Sequence, residues 1–247
     1  MMARGGSMAV SDPFLSVVIP AYNEEERLRR HIPDIQRHLA GKPHEIIVVN
    51  DGSGDGTARV AAELGARVID LQPNRGKGAA VKAGMLAARG RYVLFTDADQ
   101  STPIGEVDKL LAKVGQGYDV AIGSRAAAGA EVARAQAWYR AWAGKLFGVA
   151  TRWLVIGGVE DTQCGFKLMT REAAQKVFPQ VTSVTAIFDI EMLAVAVREG
   201  YRVAEVPVRW VHDPDTRIPY NLRRAIRVWG ELLRIKRVVG KRQVVRG

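Results

Sequence analysis

The first half of the chain alternates short apolar runs with longer amphipathic segments. The apolar runs are rich in Val and Ile without strict alternation, which is typical of strands buried on both faces. They predict strands at Leu15–Pro20, Glu45–Asn50, Ala66–Leu71, Arg91–Thr96 and Tyr118–Gly123. Helical spacing between them predicts helices near Glu24–Ala40, Thr57–Leu64, Lys77–Ala88 and Ile104–Val114. This alternation predicts an α/β fold, doubly wound, with a mostly parallel sheet flanked by helices.

The second half has a less regular pattern. An Ala-rich stretch from Glu131 to Leu154 predicts a long helix, whose aromatic residues are either core or the border of a ligand groove: Trp138, Trp142, Phe147 and Trp153. For Trp142 and Phe147 we favour the core. A turn at Gly157–Gly158 follows, and then a strand, two helices and a strand are predicted at Gly165–Met169, Arg171–Phe178, Asp189–Arg198 and Arg202–Trp210.

Acidic residues follow two of the predicted strands. Asp97 and Asp99 come directly after the run Tyr92–Thr96, and two carboxylates at this spacing can share a hard divalent cation such as Mg²⁺ or Mn²⁺. Asp51 follows another strand, and ligands of open α/β sheets bind beyond the carboxyl ends of strands. Together these acids indicate one nucleotide-and-metal site. The alternative is that they only cap loops, with Asp51 capping the helix that begins near Asp55.

Lys77 lies between Gly76 and Gly78, where a loop leads into a helix. Small residues let the backbone approach a phosphate, and a helix N-terminus favours anions. The spacing does not match a Walker loop. Lys77 is therefore a candidate diphosphate or ribose contact, and simple turn chemistry is the alternative.

Composition excludes several kinds of site and shows where the charge of the chain lies. The single cysteine, Cys164, excludes an internal disulfide and a cysteine-rich zinc site, and the four histidines are scattered. No stretch approaches the roughly 20 apolar residues that span a bilayer. The net charge is +10, of which +8 falls in Tyr220–Gly247, where nine basic residues accompany one acid, Glu231.

Apolar residues recur at helical spacing in the same segment, so it predicts a C-terminal basic amphipathic helix. Such a helix is either a membrane-surface element or a terminal helix that docks on its own domain with a solvated basic face. A nucleic-acid-binding tail is a third alternative, which we disfavour because the lone Trp229 offers no aromatic series for base stacking.

Three segments carry a family resemblance: Val17–Glu25, Val49–Ser53 and Thr96–Asp99 resemble the signatures of the inverting GT-A glycosyltransferases. Four others resemble a narrower branch, the dolichyl-phosphate (polyprenyl-phosphate) β-glucosyltransferases: Asn74–Gly78, Gly123–Arg125, Asp161–Lys167 and Phe188–Glu191. Mannosyl-transferring relatives share several of these. The resemblance runs from about Leu15 to Arg237.

The resemblance implies a GT-A-like fold and a metal-dependent, inverting transfer of a hexosyl unit. Glucose from UDP-glucose is the favoured donor, a polyprenyl or dolichyl phosphate the favoured acceptor, and Mg²⁺ or Mn²⁺ the expected cofactor. We expect a disordered leader at 1–13, one domain at 14–219 with a nucleotide-sugar half (14–125) and an acceptor half (126–219), and the helix or tail at 220–247. The expected location is cytoplasmic, peripheral on the cytoplasmic face of an anionic membrane, without nucleic acid.

The resemblance also assigns site residues. The residues expected to bind the nucleotide sugar are Pro20, Ala21, Tyr22, Glu24, Asp51, Lys77, Asp97, Ala98 and Gln163. Asp99 is the expected direct metal ligand, and Asp97 is expected to contact the ribose or the metal. Arg125, Lys167 and Asp161 frame the acceptor, with Arg134 and Arg140 as weaker candidates. Asp161 is a general base if the acceptor is a hydroxyl, or else it orients Lys167 or the donor sugar. One of Asp189 and Glu191 is expected to face the site, and the other to pair with an arginine.

Four alternatives stay open from sequence. Two are related enzymes, a GDP-mannose-dependent polyprenyl-phosphate mannosyltransferase and a transferase to a soluble or polymeric hydroxyl acceptor. A sugar-nucleotide pyrophosphorylase would need a Gly-rich basic loop after the first strand, where Ala21–Glu26 is acidic instead. A membrane- or nucleic-acid-binding module leaves Asp51, Asp97 and Asp99 unexplained.

Overall fold

The computed structural model describes residues 12–134, 148–213 and 222–245. Its strands are β1 (Leu15–Ala21), β2 (His44–Asp51), β3 (Arg67–Leu71), β4 (Tyr92–Thr96), β5 (Val120–Ser124), β6 (Glu131–Arg134), β7 (Ile156–Gly157), β8 (Phe166–Thr170), β9 (Val203–Pro207), β10 (Arg209–Val211) and β11 (Gln243–Val244). Its helices are α1 (Glu25–His38), α2 (Thr57–Glu63), α3 (Lys77–Ala87), α4 (Val107–Gly115), α5 (148–154), α6 (Arg171–Val177), α7 (Phe188–Arg198) and α8 (Leu222–Val239). Short 3₁₀ turns lie at Ile104–Glu106 and Phe178–Gln180.

Seven strands form the central sheet in the order β3-β2-β1-β4-β8-β5-β9. Successive strand residues point to opposite faces, so Val17 belongs to the apolar cluster that contains residues of α1, α2 and α4, while Val18 belongs to the one that contains residues of α3, α6 and α7. Both faces are therefore covered by helices. The predicted doubly wound, mostly parallel architecture is confirmed.

Strand β8 is the exception to the parallel arrangement. It runs antiparallel to both of its neighbours, β4 and β5, with Thr96 opposite Phe166. The amino-terminal end of β8 therefore lies beside the carboxyl-terminal end of β4. This register brings the loop before β8 against the segment that carries Asp97.

The prediction of a long helix from Glu131 to Leu154 is wrong for its first four residues. Residues Glu131–Arg134 form β6, which pairs in parallel with β10. The next residues that the structure describes are helical and begin at 148. The pairing with β10 outweighs the helix propensity of the Ala-rich segment. Trp138, Arg140, Trp142 and Phe147 lie outside the described residues, and so does the side chain of Arg134.

The strand predicted at Arg202–Trp210 is in fact two. The ladder between β5 and β9 ends where Ser124 pairs with Pro207, and the chain then turns to pair with β6 as β10. Between the two strands, the Val208 N–H donates to the carbonyl of Ser124. The break therefore coincides with a change of pairing partner.

Helix α8 docks on its own domain, which is one of the two alternatives that the sequence left open. Leu232, Ile235 and Val239 are buried in the same cluster as α7. Strand β11 then pairs with β7. In the described part of the chain, no helix combines the length and the apolar character needed to cross a membrane.

The predicted domain boundaries stay predictions. Residues 1–11 of the predicted leader lie outside the described residues, while Asp12 forms an ion pair with Arg171 at 2.8 Å. The tail beyond Val239 continues into β11, so its described part packs with the domain.

Adjacent leucines test the docking of α8. Leu232 is fully buried and Leu233 is 46% exposed. We expect Leu232→Ala to lower the free energy of unfolding by about 2–5 kcal/mol, because it leaves a cavity against α7. Leu233→Ala, the matched control, should change it by less than about 0.5 kcal/mol. Urea unfolding measures both, and equal effects would mean that α8 does not dock in this register.

Candidate active site

A cleft of about 340 Å³ lies at the carboxyl ends of β1, β2 and β4. Most of the residues predicted to bind a nucleotide sugar line it, namely Pro20, Ala21, Tyr22, Glu24, Asp51, Lys77, Asp97 and Ala98, together with Asp99. Gln163 lies on the adjoining loop before β8. Parallel strands end at the same edge of the sheet, which is why segments far apart in sequence meet here.

The carboxylate of Asp51 organises the loop that leads into α3. Its two oxygens accept hydrogen bonds from the backbone N–H groups of Arg75 and Gly76, at 2.7 and 2.9 Å. At the start of α2 the backbone N–H of Thr57 is instead accepted by Asp55. Asp51 therefore does not cap α2, and its buried carboxylate faces the cleft while it holds the loop.

Lys77 is the first residue of α3, and its ammonium forms an ion pair with Asp97 at 2.7 Å. Loss of solvent opposes the charge on Lys77, but Asp97 and the more distant Asp189 outweigh it and raise its pKa. The flanking glycines have a packing role. A Cβ at Gly76 would collide with the carbonyl of Val184, and one at Gly78 with the carbonyl of Ser183.

The carboxylates of Asp97 and Asp99 lie just beyond the carboxyl end of β4. Asp99 accepts the backbone N–H of Ser101 at 2.9 Å, and its pKa is raised by loss of solvent and by the charge of Asp97. Such mutual repulsion is relieved by a cation, so the pair fits a hard divalent metal. No group of three or more metal-binding side chains occurs within the described ranges, so these carboxylates could supply only part of a coordination shell.

Arg125 and Asp161 form a two-point ion pair beyond the end of β5. The Arg125 guanidinium donates to the two oxygens of Asp161 at 2.7 and 2.9 Å, and the backbone N–H groups of Arg125 and Gln163 donate to the same carboxylate. Burial alone would raise the pKa of Asp161, but these hydrogen bonds and the charge of Arg125 lower it. A carboxylate this well satisfied is a weak proton acceptor.

Lys167 and Asp189 form a second ion pair, at 2.7 Å, which is almost fully buried. The Lys167 ammonium also donates to the carbonyl of Cys164. Burial raises the pKa of Asp189 despite the nearby charge of Lys167. Lys167 is therefore buried inside the domain, behind the loop that carries Gln163.

Glu191 does not show the expected pairing with an arginine. It accepts hydrogen bonds from the backbone N–H groups of Thr182 and Ser183, and from the Thr182 hydroxyl at 2.8 Å. The arginine of this region, Arg234, instead contacts Glu231 and the Thr182 hydroxyl. Glu191 thereby fixes the loop that packs on Gly76 and Gly78.

A family model described as "Glycosyl transferase family 2" matches residues 16–178. The dolichyl-phosphate beta-glucosyltransferase of Drosophila melanogaster is 40% identical over 224 residues, which cover 83% of this chain and 69% of the relative. The protein of the same name from Saccharomyces cerevisiae is 36% identical over 229 residues, 82% of this chain and 68% of the relative. The chain belongs to glycosyl transferase family 2. It is therefore a glycosyltransferase, as the motifs predicted.

Solved structures agree on the fold of this glycosyltransferase. Glucosyl-3-phosphoglycerate synthase from Mycobacterium tuberculosis in complex with UDP superposes with a TM-score of 0.66 at 22% identity, over 91% of this chain and 80% of that one. Its complex with Mn²⁺, UDP and phosphoglyceric acid gives a TM-score of 0.69 at 20% identity, over 92% and 79%. At this identity the likeness shows the fold alone, and the predicted GT-A-like architecture is confirmed.

Several residues of the glycosyltransferase cleft escaped sequence reasoning. Arg27 lines the cleft and pairs with Glu24 and Asp213, at 2.9 and 2.7 Å. Asn74 also lines it and donates to the carbonyl of Asp51 at 2.8 Å. The i, i+3 spacing of Glu24 and Arg27 was a usable signal. The approach of Asp213 to α1 is a tertiary contact without any local sequence pattern.

The two backbone hydrogen bonds that the Asp51 carboxylate accepts should contribute to the stability of the fold. In Asp51→Asn one oxygen becomes an amide nitrogen that faces a backbone N–H, so a partly buried donor loses its partner. We expect the free energy of unfolding to fall by about 1–3 kcal/mol in urea. Asp34→Asn, at a half-exposed site on α1, is the control and should change it little. Equal stability of the two variants would contradict the anchoring role.

Proposed function

We propose that this glycosyltransferase transfers glucose from UDP-glucose to a dolichyl or other polyprenyl phosphate, with inversion at the anomeric carbon. The observation that carries the proposal is the meeting of Asp51, Lys77, Asp97 and Asp99 in one cleft. The names of the two dolichyl-phosphate beta-glucosyltransferases support the acceptor and the sugar. The UDP complexes of the structural neighbours support the nucleotide.

In this proposal the cleft binds the donor from base to diphosphate. Asp51 accepts the N3–H of uracil with a lone pair that its two backbone hydrogen bonds leave over, and the β1 end at Pro20–Tyr22 lies along the base. Lys77, at the N-terminus of α3, contacts the diphosphate. Asp97 holds the ribose, and Asp99 is the direct ligand of Mg²⁺ or Mn²⁺. When bound, the cation would offset charge on the departing nucleoside diphosphate.

The acceptor is proposed to bind on the side of Arg125. A phosphate monoester is largely dianionic at neutral pH, because its second pKa is about 6, so it needs positioning by a cation more than deprotonation. An oxygen lone pair of the phosphate forms the new bond to the anomeric carbon while the bond to the UDP oxygen breaks, and no proton is removed. Asp161 locks the Arg125 guanidinium for this task.

This arrangement favours a phosphate acceptor over a hydroxyl acceptor. A hydroxyl would require a general base, and Asp161 has a lowered pKa and accepts four hydrogen bonds. Transfer from GDP-mannose stays the competing proposal for the donor, since the sugars differ at single hydroxyl groups.

The direct experiment offers the protein Mg²⁺, UDP-glucose or GDP-mannose, and a short polyprenyl phosphate, and identifies the product by mass. Glucosyl phosphopolyprenol formed from UDP-glucose supports the proposal. A product formed only from GDP-mannose would mean that GDP-mannose, and not UDP-glucose, is the donor. Transfer only to hydroxyl compounds would refute the proposal of a phosphate acceptor.

The substitution Asp99→Asn tests whether transfer depends on a bound metal. Removing the charge should slow transfer by about 100-fold or more, because a bound cation supplies several kcal/mol of transition-state stabilisation. The fold should keep its stability, since the substitution also removes the repulsion from Asp97. The measurement is turnover beside thermal unfolding. Wild-type turnover that persists in a strong chelator would refute metal dependence, and so would normal turnover of the variant.

The proposed location is peripheral, on the cytoplasmic face of a membrane. The exposed residues at the end of α8 and directly after it include four cations, which we call the basic face: Lys236, Arg237, Lys241 and Arg242. Arg242 also donates to the carbonyl of Arg152 at 2.7 Å, which brings the end of α5 against this face. There Trp153 is 75% exposed. Cations beside an exposed indole suit an anionic lipid surface.

Charge removal tests this location without disturbing the core. A triple variant, Lys236→Gln, Arg237→Gln and Lys241→Gln, should lose most binding to anionic vesicles, since each cation contributes about 1 kcal/mol near such a surface. The control neutralises three exposed cations near α1 (Arg30, Arg37 and Lys42) and matches the change in net charge. Co-sedimentation at low salt measures binding. Equal loss in both variants would indicate that net charge, and not the basic face, attracts the vesicle.

A further inference from the structure

We propose that Gly165 is a positioning residue for the Asp97 carboxylate, and that the loop from Asp161 to Gly165 holds Gly165 in place for this role. The inference rests on the proposed function, in which Asp97 contacts the donor. It gives the segment before β8 a role in positioning Asp97, in addition to the donor and acceptor contacts that the sequence assigned to Gln163 and Asp161.

The first observation is the closeness of the two residues. A Cβ added to Gly165 would lie 2.5 Å from Cγ of Asp97 and closer still to Oδ2. The backbone N–H of Asp97 donates to the carbonyl of Gly165 at 3.2 Å, and Lys77 pairs with the carboxylate at 2.7 Å. Asp97 is therefore held between the bare backbone of Gly165 and the ammonium of Lys77.

The second observation is that backbone conformation does not explain the glycine. Gly165 is not one of the glycines with positive φ, so an alanine could adopt its backbone conformation without strain. The space that a Cβ would need is the space that the carboxylate occupies. The absence of a side chain at residue 165 thus serves the close approach of Asp97.

The third observation is how firmly the loop is fixed. At its start, Asp161 is bound by Arg125, and its own backbone N–H donates to Glu205 at 2.8 Å. Near its end, the buried ammonium of Lys167 donates to the carbonyl of Cys164 and pairs with Asp189. With both ends held by charged side chains, the loop cannot easily move aside for a larger residue 165.

A Cβ at residue 165 would therefore displace the carboxylate and not the loop. Asp97 can rotate about its own side-chain bonds, but it then leaves Lys77. The expected result is a folded protein with a disordered donor site. Such a variant separates positioning from stability.

The experiment compares Gly165→Ala with Gly115→Ala, whose Cβ meets nothing within 4 Å and whose φ is ordinary. Calorimetry with UDP in the presence of Mn²⁺ should show binding weakened about 10- to 100-fold in Gly165→Ala, the equivalent of one charge-assisted contact. Gly115→Ala should bind as wild type does. Unchanged UDP affinity in Gly165→Ala would overturn the proposal.

Asp97→Ala completes the test, because it removes the group that a Cβ would strike. In that background Gly165→Ala should have no further effect on UDP affinity. A second full loss there would show that Gly165 acts on something else. Should Gly165→Ala alone fail to fold, the double variant must restore folding, and its failure to do so would also overturn the proposal.

The same series separates this inference from the proposed function. If Asp97→Ala weakens UDP binding while Gly165→Ala does not, only the positioning role is refuted. If Asp97→Ala leaves UDP affinity unchanged, the donor role of Asp97 fails, and the inference fails with it.

Discussion

The reversed direction of β8 is the constraint on which the site depends. Parallel strands bring the ends of β1, β2 and β4 to one edge of the sheet, and this alone would supply Tyr22, Asp51 and Asp97. An antiparallel strand delivers the start of its own segment to that same edge. The loop from Asp161 to Gly165 thus reaches Asp97 although more than sixty residues separate them in the sequence.

Charge pairing around the cleft follows from this arrangement. Lys77 and Lys167 lie 5.4 and 5.9 Å from the ring centroid of Phe95, and each is neutralised by a carboxylate, Asp97 or Asp189. The Lys167–Asp189 pair is buried and the Lys77–Asp97 pair is partly exposed, and both kinds gain little net stability, because desolvation or solvent screening offsets much of their attraction. Their value here lies in orientation, since they fix cations and acids before a charged ligand arrives.

Sequence predicted the parts of this site that local pattern encodes. Apolar runs located the strands of the first half, and the acids at their ends followed from the rule that ligands bind beyond carboxyl ends. Contacts that depend on tertiary pairing could not be predicted in this way. The β6–β10 pairing replaced a predicted helix, Asp51 proved to anchor the loop before α3, and Lys167 proved to be buried against Asp189. No periodicity or propensity carries such information.

We propose that one cleft, lined by Asp51, Lys77, Asp97 and Asp99, holds both the nucleotide and a divalent metal. A crystal structure with UDP and Mn²⁺, with anomalous scattering to locate the manganese, tests it most directly. We expect an anomalous peak within bonding distance of the Asp99 carboxylate, uracil against Asp51, and the diphosphate near Lys77. UDP bound elsewhere, or manganese remote from Asp99, would contradict it.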